Sequence, residues 1–179
     1  MGIHLVVLAS IRILPLISNV QSSHVATGIF NSIGNKGGVG ICFNVGVTSL
    51  LFINCHLASG EEEAHNNRRT IDFHNIDYKL KLPKKYNILE HSKTSKQDVT
   101  RASNRFDCWI WCGDFNYRVV GTAATIFTLI KQNKFEVLKQ NEQLSLKFKA
   151  AALPKDFKEG SIEFAPTYKI KNNSDEYNK

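Results

Sequence analysis

The chain has 179 residues, 42% of them hydrophobic, and 23 Lys and Arg against 16 Asp and Glu give a formal charge of +7. This length and globular composition allow one domain with a real core; no stretch is long and apolar enough to span a bilayer, and four cysteines do not make a disulfide scaffold. The positive balance suits a polyanionic partner (nucleic acid, inositol phosphates or an anionic membrane face), or else it describes a solvated surface.

Met1 to Ser18 does not read as a secretory signal, because Arg12 and Pro15 interrupt its apolar run and no basic region precedes it. Gly2 does not read as a myristoylation site either, since Val6 stands where that motif needs Ser or Thr. Gly2 to Ala9 is predicted as a strand, buried over Leu5 to Ala9, followed by a mixed segment through Ser23. Val25 to Phe30 is predicted as extended and leads into Gly34-Asn35-Lys36-Gly37-Gly38-Val39. Val39 to Val47 and Leu50 to Leu57 are predicted strands around a hairpin connection at Gly46-Val47-Thr48-Ser49. Glu61 to about Leu82 reads as a helix, with acidic residues in its first turn, Pro83 just beyond it, and Ile71, Ile76 and Leu80 on its buried face.

The polar stretch from His91 to Arg105 reads as a loop, and Phe106 to Cys112 as a buried strand. Gly121 to Gln132 and Asn141 to Ala151 are predicted as shorter helices. Glu163 to Ile170 returns to extended structure, and Asn172 to Lys179 is a polar tail expected to be disordered. Strand pairs with tight turns, interspersed with helices, imply a mixed sheet packed against helices. Cys108 and Cys112 share a strand face, Cys42 and Cys55 lie in apolar strands, and all four are expected as buried reduced thiols, which favours the cytosol.

Trp111-Cys112-Gly113-Asp114-Phe115-Asn116-Tyr117-Arg118 closes the predicted Phe106 strand. A strand ending in Gly-Asp-x-Asn delivers a carboxylate and an amide to the rim of a sheet, where a rigid scaffold can hold a site. Two residues apart in an extended segment, Asp114 and Asn116 would point the same way. By itself the tetrapeptide reads as an ordinary turn. His56 closes the Leu50 strand; a lone His there is a structural residue or, protonated, a donor to an anion. Asn54 shares its face. Gly34 to Gly38 offers backbone N–H groups and the Lys36 cation, either as a plain turn or as an anion-binding nest, and it is not a Walker A loop.

Taken together, Gly34-Asn35-Lys36-Gly37-Gly38-Val39, His56-Leu57-Ala58, Trp111-x-Gly113-Asp114-x-Asn116-Tyr117-Arg118 and Pro166-Thr167-Tyr168-Lys169 resemble, in order and spacing, the inositol polyphosphate 5-phosphatase catalytic domain. That domain belongs to the wider endonuclease/exonuclease/phosphatase superfamily. The resemblance runs from about Gly2 to Lys169; Ser59, where the family often has Ala, and Thr70, where it often has Asn, are small departures. It implies an α/β (α+β) fold, a four-layer sandwich of two mixed sheets flanked by helices, incomplete in this chain. Residues 1–171 would be the central part of a single catalytic domain and 172–179 a polar tail. The family domain opens with strands carrying an Asn and a metal-binding Glu, and it closes with Pro-Ala-Trp-Cys-Asp-Arg and Ser-Asp-His segments. This chain is expected to lack both ends, Ser174-Asp175-Glu176 not being the terminal motif, and to be inactive alone.

The activity implied is hydrolysis of the 5-phosphate of phosphoinositides or inositol polyphosphates, in which positioning and electrostatics carry the chemistry. Asp114 would orient or deprotonate water, Asn116 would donate to a phosphoryl oxygen without repelling it, and protonated His56 would donate to the scissile phosphate. The resemblance assigns substrate contacts to Asn35 and Lys36, and recognition of the 4-phosphate to Tyr168 and Lys169. Arg118 would contact phosphate or pair so as to hold Asp114 or its loop. Magnesium is implied as a Lewis acid, anchored by the family's upstream Glu because Asp114 alone is a poor site. An anionic membrane surface is the expected partner, with no nucleic acid, in a cytoplasmic protein peripheral at membranes. Two rivals remain: a superfamily nuclease, which the basic charge allows, and a non-catalytic phosphoinositide-binding or interaction module.

Overall fold

Gly46 and Val47 close a two-residue turn between antiparallel strands, with Val45 paired to Thr48 and Gly46 at φ +59°. Positive φ in such a turn matches the twist of the strands it joins. The computed structural model describes residues 2–28, 34–83, 100–154, 156–174 and 176–177. By its internal packing the chain divides into two units, Met1–Asn116 and Tyr117–Lys179.

The first unit is a four-stranded mixed sheet in the order β1 (Ile17–Ala26), β2 (Gly37–Val45), β3 (Thr48–His56), β4 (Cys108–Asp114). β1, β2 and β3 pair antiparallel and β4 joins β3 in parallel. A parallel pair needs a crossover, and here the crossover contains α1 (Glu63–Lys79). The mixed sheet with helices agrees with the expected α/β class; no second sheet occurs among the described residues.

One face of the sheet is the core. Leu51, Ile53 and Cys55 alternate along β3, Leu57 follows just past its end, and all four are buried, as are Phe73, Ile76 and Leu80 from the helical segment. Gly38, paired with Cys55, lies against Ile76, and a Cβ there would come within 2.7 Å of the Ile76 side chain. At Gly37, φ is +143° and a Cβ would sit 2.0 Å from the Val25 carbonyl oxygen. These two glycines therefore let β1 and α1 approach β2 closely. They are strand residues paired with Ala26 and His56 or with Val25 and Cys55, which corrects the nest reading of Gly34 to Gly38 at its C-terminal half. Trp111, on the same face of β4, stacks on Phe73 with ring centroids 4.0 Å apart.

The inner face of α1 differs from its prediction. Ile76 and Leu80 are buried, but Ile71 is 53% exposed, and Asn66, Arg69, Asp72 and Asp77 turn inward instead. Each buried charge is paired, as it must be away from water. Asp77 accepts from Arg101 Nε (3.1 Å), Ser103 N (2.9 Å) and Ser103 Oγ (2.9 Å). Arg68 Nε donates to Asp72 Oδ1 at 2.8 Å, opposing the burial that pushes the Asp72 carboxyl up. Arg105 donates to the carbonyls of Leu82 and Leu80 at 2.6 and 2.9 Å. The predicted His91 loop lies outside the described residues up to 99; Ser103–Arg105 is a 3-10 turn.

Four further expectations are corrected. Gly2 to Ser10 carries no regular structure, Val6 and Leu8 being 76% and 90% exposed; apolar composition cannot say whether a partner strand is available. β1 runs through the segment read as mixed. It is a polar edge strand, bulged between Ser18 and Gln21, and polar, bulged edges are how sheets discourage further pairing. The predicted Val25 extension ends at Ala26, and Phe30 lies outside the described residues. Cys42 and Cys55 are buried, the Cys55 thiol being pushed up to about 12 by burial, whereas Cys108 and Cys112 are exposed on the other face of β4.

The second unit holds α2 (Ala123–Lys131), α3 (Phe135–Gln140) and α4 (Gln143–Lys149). α2 and α4 fall inside the two predicted helices, and α3 is additional. Thr122 Oγ1 caps α2 by accepting from Thr125 N, and the Glu142 carboxylate caps α4 by accepting from Leu144 N and Ser145 N. These contacts satisfy N–H groups that have no partner within a helix. No strand forms over Glu163 to Ile170. The expected disordered tail instead turns back: Ile170 bridges Tyr177, the Tyr177 hydroxyl donates to the Pro166 carbonyl, and Lys171 pairs with Glu176 at 2.6 Å. Among the described residues no helix is long and apolar enough to cross a membrane.

Candidate active site

Parallel pairing of β3 and β4 brings His56 level with Asp114 at the C-terminal end of both strands. Residues level in a sheet point to the same side, here away from α1, and the His56 Nε2 to Asp114 Oδ2 distance is 3.4 Å. The side chains are 34% and 63% exposed, so a solute can reach them. Gly113 makes the join. Its φ is +123°, and a Cβ there would lie 2.0 Å from the Cys55 carbonyl oxygen. Just beyond, Leu57 N donates to Asp114 O at 3.0 Å and carries the ladder one step past the strands.

After Asp114 the chain turns instead of running on extended. Asn116 has φ +58° and its N–H donates to Asp114 Oδ1 at 3.0 Å, an Asx turn. Its Nδ2 donates to Leu57 O at 3.0 Å, so the amide ties the loop after β4 to the loop after β3. The expectation that Asp114 and Asn116 project side by side from a strand is thereby corrected.

Lys36 enters from the turn ahead of β2, whose first residue, Gly37, is the register partner of His56. Lys36 Nζ lies 2.5 Å from His56 Nε2. An ammonium group has only donors, so Nε2 accepts and the neutral ring carries its proton on Nδ1. Burial, and then the Lys36 charge, hold the His56 pKa below its ordinary 6.5, with Asp114 opposing them. A His56 protonated on Nε2 could not accept from Lys36 in this arrangement. Asn35 is exposed in the same turn. Asn54, one pleat back from His56, donates from Nδ2 to His4 O at 2.6 Å.

Arg118, Tyr168 and Lys169 belong to the second unit. Arg118 is joined to Gln143 through its backbone, N to Gln143 Oε1 at 3.0 Å and O from Gln143 N at 2.9 Å. Tyr168 and Lys169 are exposed. Lys36, His56, Asp114 and Asn116 are thus the group gathered at one sheet end.

Arg69 is a supporting residue that sequence reasoning did not identify. Fully buried, it donates from Nη1 to Ala58 O and Gly60 O, both at 3.0 Å. It fastens the turn that follows His56. Its one sequence signal is its position three and four residues before Asp72 and Phe73 on the inner face of α1.

A carboxylate, an imidazole, an ammonium and an amide around an exposed sheet end can hold an anion and direct a water molecule at it. They do not make a metal site. Among the described residues no three His, Cys, Asp or Glu side chains gather to hold an ion, and Asp114 offers one carboxylate where a hard cation takes several oxygens.

Endonuclease/Exonuclease/phosphatase family 2 matches residues 1–179. The chain is 37% identical over 155 residues to Synaptojanin-2 of Rattus norvegicus, covering 87% of this chain and 9% of that protein. It is 35% identical over 179 residues to Type I inositol polyphosphate 5-phosphatase 5 of Arabidopsis thaliana, covering 98% and 32% respectively. Among solved structures it is similar to the inositol polyphosphate 5-phosphatase domain of SPsynaptojanin, crystallised with inositol (1,4)-bisphosphate and a calcium ion. The TM-score is 0.75 at 31% identity, covering 93% of this chain and 44% of that one. The chain spans less than a third of the length of the two curated relatives.

Proposed function

The chain belongs to endonuclease/exonuclease/phosphatase family 2, and from that premise we propose that the protein removes the 5-phosphate of phosphoinositides or inositol polyphosphates. The observation that carries the reading is the meeting of Lys36, His56 and Asp114 at one sheet end, with Asn116 tying the two loops. Asp114 orients water and takes its proton, being held at a strand end by the ladder on one side and the Asx turn on the other. Lys36 and His56 bind the phosphoryl oxygens, where donors aimed at developing charge act in a preorganised site. Tyr168 and Lys169 read the 4-phosphate, and Arg118 contacts phosphate or steadies the loop after β4.

Magnesium goes with this reading by resemblance, and the solved relative holds a calcium ion. The described residues do not form a site for it. An anionic membrane face at the cytoplasmic side is the proposed place of action, and the +7 charge supports it. The lack of a metal-holding cluster among the described residues favours a second reading, a non-catalytic phosphoinositide-binding module.

Phosphate release from inositol 1,4,5-trisphosphate, with the bisphosphate product identified, separates the readings. In a chain extended to the full catalytic domain, Asp114→Asn should abolish release while sparing binding, because it removes the base and a negative charge near the phosphates. Binding without release by the extended, full-domain protein would support the module, and cleavage of abasic DNA with inositol phosphates untouched would support a nuclease.

A further inference from the structure

The contact between Lys36 and His56 has a consequence for anion binding. At 2.5 Å the ammonium covers the same imidazole nitrogen, Nε2, that faces Asp114 Oδ2 at 3.4 Å. One nitrogen thus has a cation and an anion competing for it, and its proton state follows whichever is nearer. A doubly charged oxyanion arriving at this exposed end competes directly for the Lys36 ammonium, because it is the stronger acceptor.

Accepting the phosphate-binding reading above, we propose that the Lys36–His56 contact is a proton-coupled latch: the incoming phosphate draws Lys36 off the ring, and His56 Nε2 then takes a proton and becomes a second donor to that phosphate. The proton comes from solvent and Lys36 keeps its own three throughout, so each binding event carries net proton uptake by the protein. With Lys36 displaced, Nε2–H faces the Asp114 carboxylate and the bound oxyanion, both of which favour the imidazolium. Lys36 comes from the turn before β2 and Asp114 from the end of β4. The N-terminal segment contributes the His4 carbonyl to Asn54, and α1 lies on the opposite face with Arg69 turned onto Ala58 and Gly60. The latch reconciles a His that accepts a hydrogen bond in this structure with a site that must offer donors to phosphate. It also predicts that anion affinity strengthens as pH falls through neutrality, since acid supplies the proton that binding consumes.

The test follows the His56 ring by NMR through a pH titration of the intact chain, with and without saturating sulfate, a dianion that does not itself titrate near neutrality. The expected result is an upward shift of the His56 pKa by about one unit or more on adding sulfate. Lys36→Met should raise the pKa of the anion-free protein and shrink the sulfate effect, and His56→Gln should remove the pH dependence of sulfate affinity. A His56 titration that sulfate leaves unmoved overturns the latch, as does a Lys36→Met protein in which the ring titrates as in the parent. Inositol 1,4,5-trisphosphate binding, measured in parallel, keeps the two ideas apart: binding with an unmoved His56 sinks the latch alone. No binding of the trisphosphate sinks the phosphate-site reading and the latch with it.

Discussion

Gly113→Ala perturbs the join between β4 and the Asp114 turn with a single methyl group. The new Cβ would lie 2.0 Å from Cys55 O, 2.5 Å from Asn54 Oδ1 and 2.6 Å from Cys55 N, whereas real Cβ atoms keep at least 3.0 Å. Two of these atoms are backbone, so β4 must retreat from β3 by about 1 Å, the difference between 3.0 and 2.0 Å. That retreat strains the ladder at its end, where Leu57 N meets Asp114 O at 3.0 Å. One or two backbone hydrogen bonds at about 1 kcal/mol each, with about 1–3 kcal/mol for a non-glycine residue at φ +123°, give roughly 2–5 kcal/mol of lost stability. For a chain of this size the melting temperature should fall on the order of 10 °C. Because Asp114 would move relative to His56, the same change in a chain extended to the full catalytic domain should lower turnover about a hundredfold in any molecules still folded. Thermal and urea unfolding should be run beside Gly160→Ala, where a Cβ meets nothing within 4 Å and the change should stay within about 0.5 kcal/mol. If Gly113→Ala unfolds within about 1 kcal/mol of the parent, the close approach of the two strands is not what positions Asp114.

Arg69→Met removes two charge-assisted hydrogen bonds and leaves the Ala58 and Gly60 carbonyls without that donor. The loss should be about 3–5 kcal/mol in equilibrium unfolding, and a loss near zero would mean the turn after β3 holds itself. The depressed His56 pKa makes the fold favour the neutral ring. Below 6.5 the unfolded chain therefore binds more protons than the folded one, and this contribution to stability is complete above 6.5 and lost as pH falls from there through the folded value. Denaturant midpoints across that window should fall less steeply in His56→Gln than in the parent; parallel curves would contradict the assignment. In the full-length enzyme, changing Tyr168 and Lys169 to Phe and Met should cost tenfold or more in catalytic efficiency, from roughly 1.5–3 kcal/mol per lost contact, on 4-phosphorylated substrates only. Equal loss on a substrate without the 4-phosphate would reduce the pair to a folding role.

The β2–β3 hairpin, the existence of α1 and the strand leading to Gly113-Asp114 are legible in the sequence. Each is declared locally, by an apolar run, a glycine turn or a helix with acidic residues at its start. The motif residues were legible too, but as isolated strings that read equally well as turns. His56 and Asp114 become neighbours only because β3 and β4 pair in parallel across a long crossover, and no local signal specifies that pairing. The inner face of α1 departs from its prediction because hydrophobic periodicity picks out apolar residues, while here Arg69, Asp72 and Asp77 are buried with hydrogen-bond partners (Ala58 for Arg69, Arg68 for Asp72, Ser103 for Asp77) that periodicity does not weigh. The exposed Cys108 and Cys112 follow from the same limit, since composition sets a residue's preference for burial and the neighbouring elements decide whether cover exists. The protonation of His56 belongs wholly to the tertiary structure. An unperturbed imidazole titrates near neutrality, and the partial burial of the site with the placement of Lys36 at 2.5 Å and Asp114 at 3.4 Å decides which way the proton balance of His56 leans.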